Sequence, residues 1–450
     1  MHDLSGIPVR ESAASGAGAD PRAPNQVTVP PSTRWNVAQR VGFRFAFLYL
    51  VLYNLPFPLD VLPPTRSLDQ AWQDLVNAMA SWVGENLFNV EVIIQATGSG
   101  DTMLAYVQAV TFCFLALAGT LVWTVLARDT LQHRTLHEWL RIYVRFSLGY
   151  TMISYGASKV IQSQFAPPTL DRLLQPLGTM SPMGLLWTFM GFSAAYNVFT
   201  GLGEMMGGVL LYMRRTMVLG SLIVIAVMSH VAMLNFTYDV PVKLYSLHLL
   251  GMALFLAAPH AQRFLAVLVR EGELPPELRT HWLGRQWVRR AAVVLALAFL
   301  GYSLYATLSR SRAVQQSRQS LAAPLHGVYE AEEFTRIPTQ DAPATMLDDS
   351  RWRRLTITRW GAAIIELSND STLRFRAAAD TIGWTLILTE RADTARRSRF
   401  AVSRSDPGYI RMHGVFQGDS IEFLGRPLDE ADFLLTNRGF HWVQEIPFNR

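Results

Sequence analysis

The sequence is poor in charge, in cysteine and in one of its two strong cations. Only 17% of its 450 residues are Asp, Glu, Lys or Arg, against 50% hydrophobic. That balance excludes an ordinary soluble domain and points to a membrane protein. Cys113 is the sole cysteine, so an intramolecular disulfide, a CxxC pair and a Cys-based zinc site are excluded. It falls inside an apolar run, where a buried thiol is inert. No Walker A sequence, dinucleotide-binding glycine fingerprint, HExxH helix or GxSxG elbow is present, which argues against a soluble-type catalytic centre. Lysine is nearly missing. Of 40 Lys+Arg residues only Lys159 and Lys243 are lysine. Arg stays charged at any working pH, whereas a buried Lys can release its proton.

The apolar residues gather in runs of about 18–25, the length a membrane helix requires. Seven spans are predicted, near 41–62, 103–127, 142–161, 183–213, 217–236, 241–258 and 291–308. Arg44, Pro56, Pro58 and Asp60 interrupt the first. Before it, residues 1–40 are rich in Ala, Gly, Pro and Ser and read as a disordered cytoplasmic tail. They lack the order of a cleaved signal peptide, so the first span is expected to stay in the mature chain.

The net charge of +5 belongs to membrane orientation and not to nucleic acid. Arg10, Arg22, Arg34 and Arg40 precede span one, while loop 63–102 holds Arg66 against five acids. Arg128, Arg134 and Arg141 follow span two, Arg214 and Arg215 separate spans four and five, and Arg263 to Arg290 separate six and seven. Basic clusters recur on every second side, which puts the N-terminus in the cytoplasm. An odd number of spans puts residues 309–450 outside. The expected location is the bacterial inner membrane, with a periplasmic C-terminal domain.

Two segments look interfacial. In 68–83, Leu68, Trp72, Leu75, Met79 and Trp82 recur at helical spacing, which suits a helix on the outer surface or against the bundle. Residues 259–290 are expected along the inner surface, broken near Pro275-Pro276. The fourth span, at 1.5 Å per residue, would be about 45 Å long and must tilt or break, the break being expected near Asn197–Gly203.

After Ala313 the pattern changes to alternation. Leu355/Ile357, Leu373/Phe375, Trp384/Leu386/Leu388, Phe400/Val402, Ile410/Met412 and Ile421/Phe423 alternate with polar residues, and turn signals lie between them. Short strands at this spacing predict an antiparallel all-β barrel or sandwich.

Ionisable and polar groups persist inside the predicted spans 142–258, where a charge survives by facing the bundle interior, pairing or doing chemistry. Counting residues from the predicted cytoplasmic ends puts Lys159 about 25 Å up, Asn197 about 24, His230 about 20, His248 about 15 and Glu204 about 14. One polar zone fed by four helices is expected. Asn197, Gly201, Glu204 and Gly208 form one helical stripe, and Tyr155 lies one turn from Lys159. Asp239 and Lys243 sit at the outer edge.

Lys159 and Glu204 are the candidate catalytic pair, with Tyr155, Asn197, His230, Asp239, Lys243 and His248 as candidate ligand contacts. A Lys or His would hydrogen-bond a quinone carbonyl and pass a proton, and Glu204 would carry it onward. Two histidines at similar depth would instead ligate haem or a metal, although no metal set is assigned. The same residues also suit plainer roles: a structural ion pair, satisfied core histidines, and a surface Asp239–Lys243 pair.

The motif Arg145-x3-Gly149-x6-Gly156-x2-Lys159 resembles the opening helix of DoxX-type membrane proteins. Glu204-x2-Gly207-Gly208-x-Leu210-Leu211 is similar to their glutamate/glycine stretch. The resemblance covers about a quarter of the chain. It implies a four-helix core at 142–258 within a helical domain at 41–308, in a bacterial multi-pass protein of quinone-linked function with a membrane or periplasmic redox partner. It carries over only Lys159 and Glu204. The ending Arg438-Gly-Phe-His-Trp-Val-Gln-Glu-Ile-Pro-Phe-Asn-Arg450 resembles the tail of β domains fused to some DoxX-like proteins. The alternatives are a small-solute or lipid carrier hinged near Asn197–Gly203, and an accessory protein acting through its β domain.

Overall fold

The computed structural model describes residues 35–62, 65–95, 97–127, 133–261, 263, 266, 285–320, 325–337, 350–359, 361–380, 383–390, 393–405 and 408–449. The tail expected before residue 35, and most of the segment expected along the inner surface at 259–290, lie outside the described residues.

The helical part starts with α1 (Val37–Asn54), which a capping box opens: Asn36 Oδ1 accepts from the Gln39 amide while Gln39 Oε1 accepts from Asn36 N. Then come α2 (Arg66–Leu87), α3 (Met103–Leu126), α4 (Arg134–Val160), α5 (Leu170–Leu174), α6 (Pro182–Phe192), α7 (Ala194–Tyr212), α8 (Met217–Thr237), α9 (Lys243–Ala257) and α10 (Gln286–Ser320). Helix α2 is the amphipathic segment expected at 68–83, and its Ala80 and Val83 pack with Val107 of α3 and Val92 of the connection between them.

Among the described residues, four helical stretches are long and apolar enough to cross a membrane: Val37–Val61, Met103–Leu126, Met217–Thr237 and Gln286–Ser317. Many of their exposed positions are apolar, with Leu121, Leu126, Val294 and Leu295 facing outward, while His230 is an exposed exception. Several of their polar groups turn inward, among them Arg44, Thr120, Ser221 and Ser303. That inversion suits a lipid environment, where backbone and polar groups must be satisfied internally. The other three predicted spans are helical and packed into the same bundle. They fall outside this set: α4 carries Arg134, Glu138, Arg141, Arg145 and Lys159, α7 is made less apolar by Asn197, Thr200, Glu204 and its glycines, and α9 has 15 residues.

The break in the fourth predicted span lies at Ser193, not at Asn197–Gly203. Ser193 is extended (φ −105°, ψ 105°), and its hydroxyl caps α7 by accepting from Tyr196 N at 3.2 Å. A small polar residue that can cap a new helix stops the old one, whereas the glycines beyond it stay helical because they are packing surfaces. A Cβ on Gly156 of α4 would collide with the Gly201 carbonyl oxygen and come within 2.8 Å of Met205 N; one on Gly208 would come within 2.8 Å of the Gly149 oxygen. Helices α4 and α7 thus cross backbone to backbone, as small residues permit.

The C-terminal part is a closed antiparallel barrel in meander order, β1 (Gly327–Ile337), β2 (Trp352–Ile357), β3 (Ala362–Leu367), β4 (Thr372–Asp380), β5 (Thr385–Glu390), β6 (Arg397–Ser405), β7 (Tyr409–Phe416) and β8 (Asp419–Pro427), with β8 returning to β1. Closure leaves no edge strand. Every second residue points inward, so Leu355, Ile357, Leu386, Leu388, Phe400, Val402, Ile410, Met412, Ile421 and Phe423 form the core, as their alternation predicted. Trp352 fills the centre, edge-on to Phe416 at 5.1 Å between centroids. Trp384, expected inside, is 43% exposed because it closes the β4–β5 turn at φ 45°. Gln417 and Gly418, both at positive φ, close the β7–β8 hairpin with the primed-turn geometry that matches strand twist.

The barrel meets the helical part where β1 begins. A cleft there is lined by Thr169, Leu170 and Asp171 from one side and by His326, Thr358 and Arg359 from the other. Arg359 Nε donates to His326 Nε2 at 3.4 Å. Burial, and then the charge of Arg359, hold the His326 imidazole below its ordinary value, with Asp171 opposing.

Gly156→Ala is expected to lower the thermal midpoint of the detergent-purified protein, overpacking costing about 1–3 kcal/mol. Gly251→Ala, where a Cβ meets nothing within 4 Å, should leave it equal or higher through better helix propensity. Because the folded His326 pKa lies below the unfolded 6.5, the contribution of this contact is intact above that pH and is lost as pH falls below it. Melting followed across that range should show the loss, and His326→Gln should blunt it.

Candidate functional site

Lys159 stands in the last turn of α4 and Glu204 in the middle of α7. Helical side chains lean toward their own N-terminus. The two helices run antiparallel, with Gly149 against Gly208 and Gly156 against Gly201, so the two side chains lean toward each other and the groups meet. Lys159 Nζ donates to Glu204 Oε1 at 2.7 Å and to Oε2 at 2.8 Å. The side chains are 8% and 3% exposed, so the pair is shielded from lipid and water alike. Gly201 makes room for the lysine stem: a Cβ there would sit 2.9 Å from Lys159 Cβ. The α4 C-terminus also favours a cation in its last turn.

The ammonium lies 5.7 Å from the Tyr155 ring centroid and 5.9 Å from that of Phe165, within reach of cation–π attraction. Asn197, two turns from Glu204 on the same stripe, is fully buried. Its Nδ2 donates to the Phe165 carbonyl at 3.1 Å, while Oδ1 finds no hydrogen-bond partner among the described residues. An orphaned buried acceptor is costly and marks where a donor would be welcome. Tyr155, Lys159 and Glu204 therefore gather as expected, and Asn197 is tied to them through Phe165, a residue of the connection after α4 that the sequence did not single out.

The histidines do not join. The buried stripe of α8 runs through Gly220, Ser221, Val224, Met228, Ala232 and Asn235. His230 follows Met228 by two residues, about 200° round the helix, and is exposed on the opposite face. His248 turns instead to α1. Its Nε2 meets Tyr49 Oη at 2.6 Å, its Nδ1 meets the Leu244 carbonyl at 2.8 Å, and its ring stacks on Tyr53 at 3.9 Å and 3°. The two imidazoles thus cannot share a haem or metal. Among the described residues no group of three or more His, Cys, Asp or Glu is placed to hold a metal ion.

Asp239 and Lys243 form a different unit. Lys243 Nζ reaches Asp239 at 2.9 Å and Asp101 at 3.8 Å. Asp101 Oδ2 and Oδ1 also accept from the Lys243 and Leu244 amides at 2.8 and 3.0 Å. An aspartate from the loop before α3 thereby caps α9. The spacing of Asp239 and Lys243 shows their own pairing, while Asp101 lies 142 residues from its partner and carries no local signal. Arg44, which interrupts span one, is accommodated likewise: it donates to His133 Nε2, Thr124 Oγ1 and the Ala127 carbonyl at 3.1, 2.9 and 3.0 Å.

No family model matches the sequence and no solved structure matches it. A curated protein of Bacillus subtilis (strain 168), "Uncharacterized protein YwoB", is 30% identical over 129 residues, 28% of this chain and 80% of that relative.

Lys159→Met should lower stability by about 3–5 kcal/mol, because it strands a buried carboxylate. Lys159→Met combined with Glu204→Leu should recover most of that loss. Thermal or denaturant unfolding in mild detergent gives the coupling as a double-mutant cycle; additive losses would contradict the pairing.

Proposed function

We propose that this chain, which belongs to the same family as Bacillus subtilis YwoB, is a seven-span inner-membrane protein that binds a quinone or a similar carbonyl-bearing amphiphile beside the Lys159–Glu204 pair. In this reading α4, the α6–α7 unit and α9 cross the bilayer with the four apolar helices, the N-terminus is cytoplasmic, and the barrel is periplasmic. The alternating arginine clusters support that orientation. The motif resemblance to DoxX-type proteins supports a redox-associated role.

The observation that carries the reading is a polar set with complementary vacant valences. Lys159 gives two bonds to Glu204, and an ammonium has three donors. Asn197 Oδ1 is buried and unsatisfied among the described residues. A quinone carbonyl accepts from the lysine, a quinol hydroxyl donates to the asparagine, and the Tyr155 and Phe165 rings flank the ammonium. Glu204, ion-paired to the lysine, is the proton carrier. The electrons come from a separate membrane or periplasmic redox partner.

A second reading makes the pair a structural clamp and the barrel the working part. The close α4–α7 crossing favours it, since the same glycines that admit the pair also lock the helices. The barrel interior is filled by Trp352, Phe400, Phe416 and Phe423, so such a barrel would act by docking on its outside.

Extraction of the detergent-purified protein should yield bound quinone, and a short-chain quinone analogue should bind saturably. Lys159→Met should weaken binding by about tenfold or more, the worth of one good hydrogen bond, about 1.4 kcal/mol. Asn197→Leu should weaken the quinol form more than the quinone. Neither extractable nor saturable quinone in the wild type would remove the first reading and leave the clamp.

A further inference from the structure

Among the described residues, the C-terminal segment 438–449 belongs neither to the buried core of the bundle nor to that of the barrel. It follows α11 (Leu434–Asn437), and Gly439 at φ 67° turns the chain away from that helix. The segment then folds on itself. The Arg438 guanidinium lies 4.0 Å from the Phe448 ring centroid, and Phe440 meets Trp442 edge-on at 5.2 Å. The result displays apolar side chains outward: Trp442 is 89% exposed, Ile446 81%, Phe440 78% and Val443 74%. Single exposed apolar residues need no explanation, but a contiguous group marks an interaction surface.

Barrel topology says which surface this group faces. Helix α10 delivers the chain to the start of β1, and β8 is antiparallel to β1 with Tyr329 opposite Pro427. Leu428 N also donates to the Val328 carbonyl at 2.8 Å. The tail therefore leaves the barrel at the end where α10 arrives. The same end meets the α5 turn through His326 and Arg359, so it faces the helical part. It also bears the β4–β5 turn and its exposed Trp384.

We propose that residues 438–449 form an interfacial anchor that lies in the outer surface of the lipid bilayer and ties the barrel down onto it. Tryptophan and phenylalanine beside an arginine are the residue types that settle at the headgroup level. Reach is sufficient. With the Glu430–Asp432 turn and α11 kept helical, the chain from Pro427 to Trp442 can still span about 40 Å, whereas α10 continues only about 18 Å beyond the end of its predicted span. Tethering removes the need for strong intrinsic affinity, because a segment already held at the surface binds at a high effective concentration.

The test uses the full-length protein in lipid nanodiscs. In a Cys113→Ser background, Val443→Cys and, separately, Asn369→Cys are labelled with an environment-sensitive fluorophore. Asn369 lies in the β3–β4 turn at the opposite end of the barrel. The expected result is strong quenching of the Val443 label by nitroxide-bearing lipid and weak quenching by aqueous iodide, with the reverse for Asn369. Adding Phe440→Ser and Trp442→Ser should shift the tail about tenfold toward the lipid-free state. A Val443 label that iodide quenches as readily as the Asn369 label, with no lipid quenching, overturns the proposal and leaves the surface to a protein partner.

Discussion

A charge inside a lipid-facing bundle must be paired on the spot, and this helical domain is arranged around that requirement. The Lys159–Glu204 pair needs α4 and α7 close enough for a side chain from each to meet head-on. Closeness needs glycine at the crossing, which Gly149, Gly156, Gly201 and Gly208 supply. The ion pair and the glycine seam are one feature: without the glycines the charges could not meet, and without the pairing the seam would hold two unpaired buried ions. Arg44 obeys the same rule with neutral partners, a histidine, a threonine and a carbonyl. Asp101 obeys it at the bundle edge by saturating the first amides of α9.

The barrel satisfies its backbone by closing on itself and its interior by filling it. With Trp352, Phe400, Phe416 and Phe423 in the centre, its outer surface and its two ends remain for interaction. The end that receives α10 also meets the α5 turn and emits the tail, so these three elements collect on one side of the barrel. Among the described residues the α5 turn and the start of β1 form a contact between the helical and barrel parts.

What could be read from the sequence follows how local each signal is. Strand alternation is a two-residue property, so the inward residues of β2 and β4 to β8 were legible, apart from Trp384, which a turn captured. The stripe Asn197, Gly201, Glu204 and Gly208 and the Tyr155–Lys159 spacing were legible because they lie within single helices. Helix rotation was not. The depths of His230 and His248 along their helices said nothing of the faces they occupy, and one faces outward while the other turns to Tyr49 and Tyr53. The break at Ser193 was missed because the glycines beyond it looked like hinge residues, when they are contact surfaces. Long-range caps such as Asp101 leave no local trace.

The scarcity of lysine offers a direct view of the central pair. Only Lys159 and Lys243 carry an ammonium side chain, so nitrogen-15 labelling of lysine Nζ gives two resonances in solid-state NMR of the protein in bilayers. Lys159 is predicted to show dipolar coupling to the Glu204 carboxylate carbon and slow exchange with heavy water, while Lys243, 22% exposed between Asp239 and Asp101, exchanges quickly. A Lys159 signal without carboxylate coupling, or one exchanging as fast as Lys243, would contradict a shielded ion pair at the heart of the bundle.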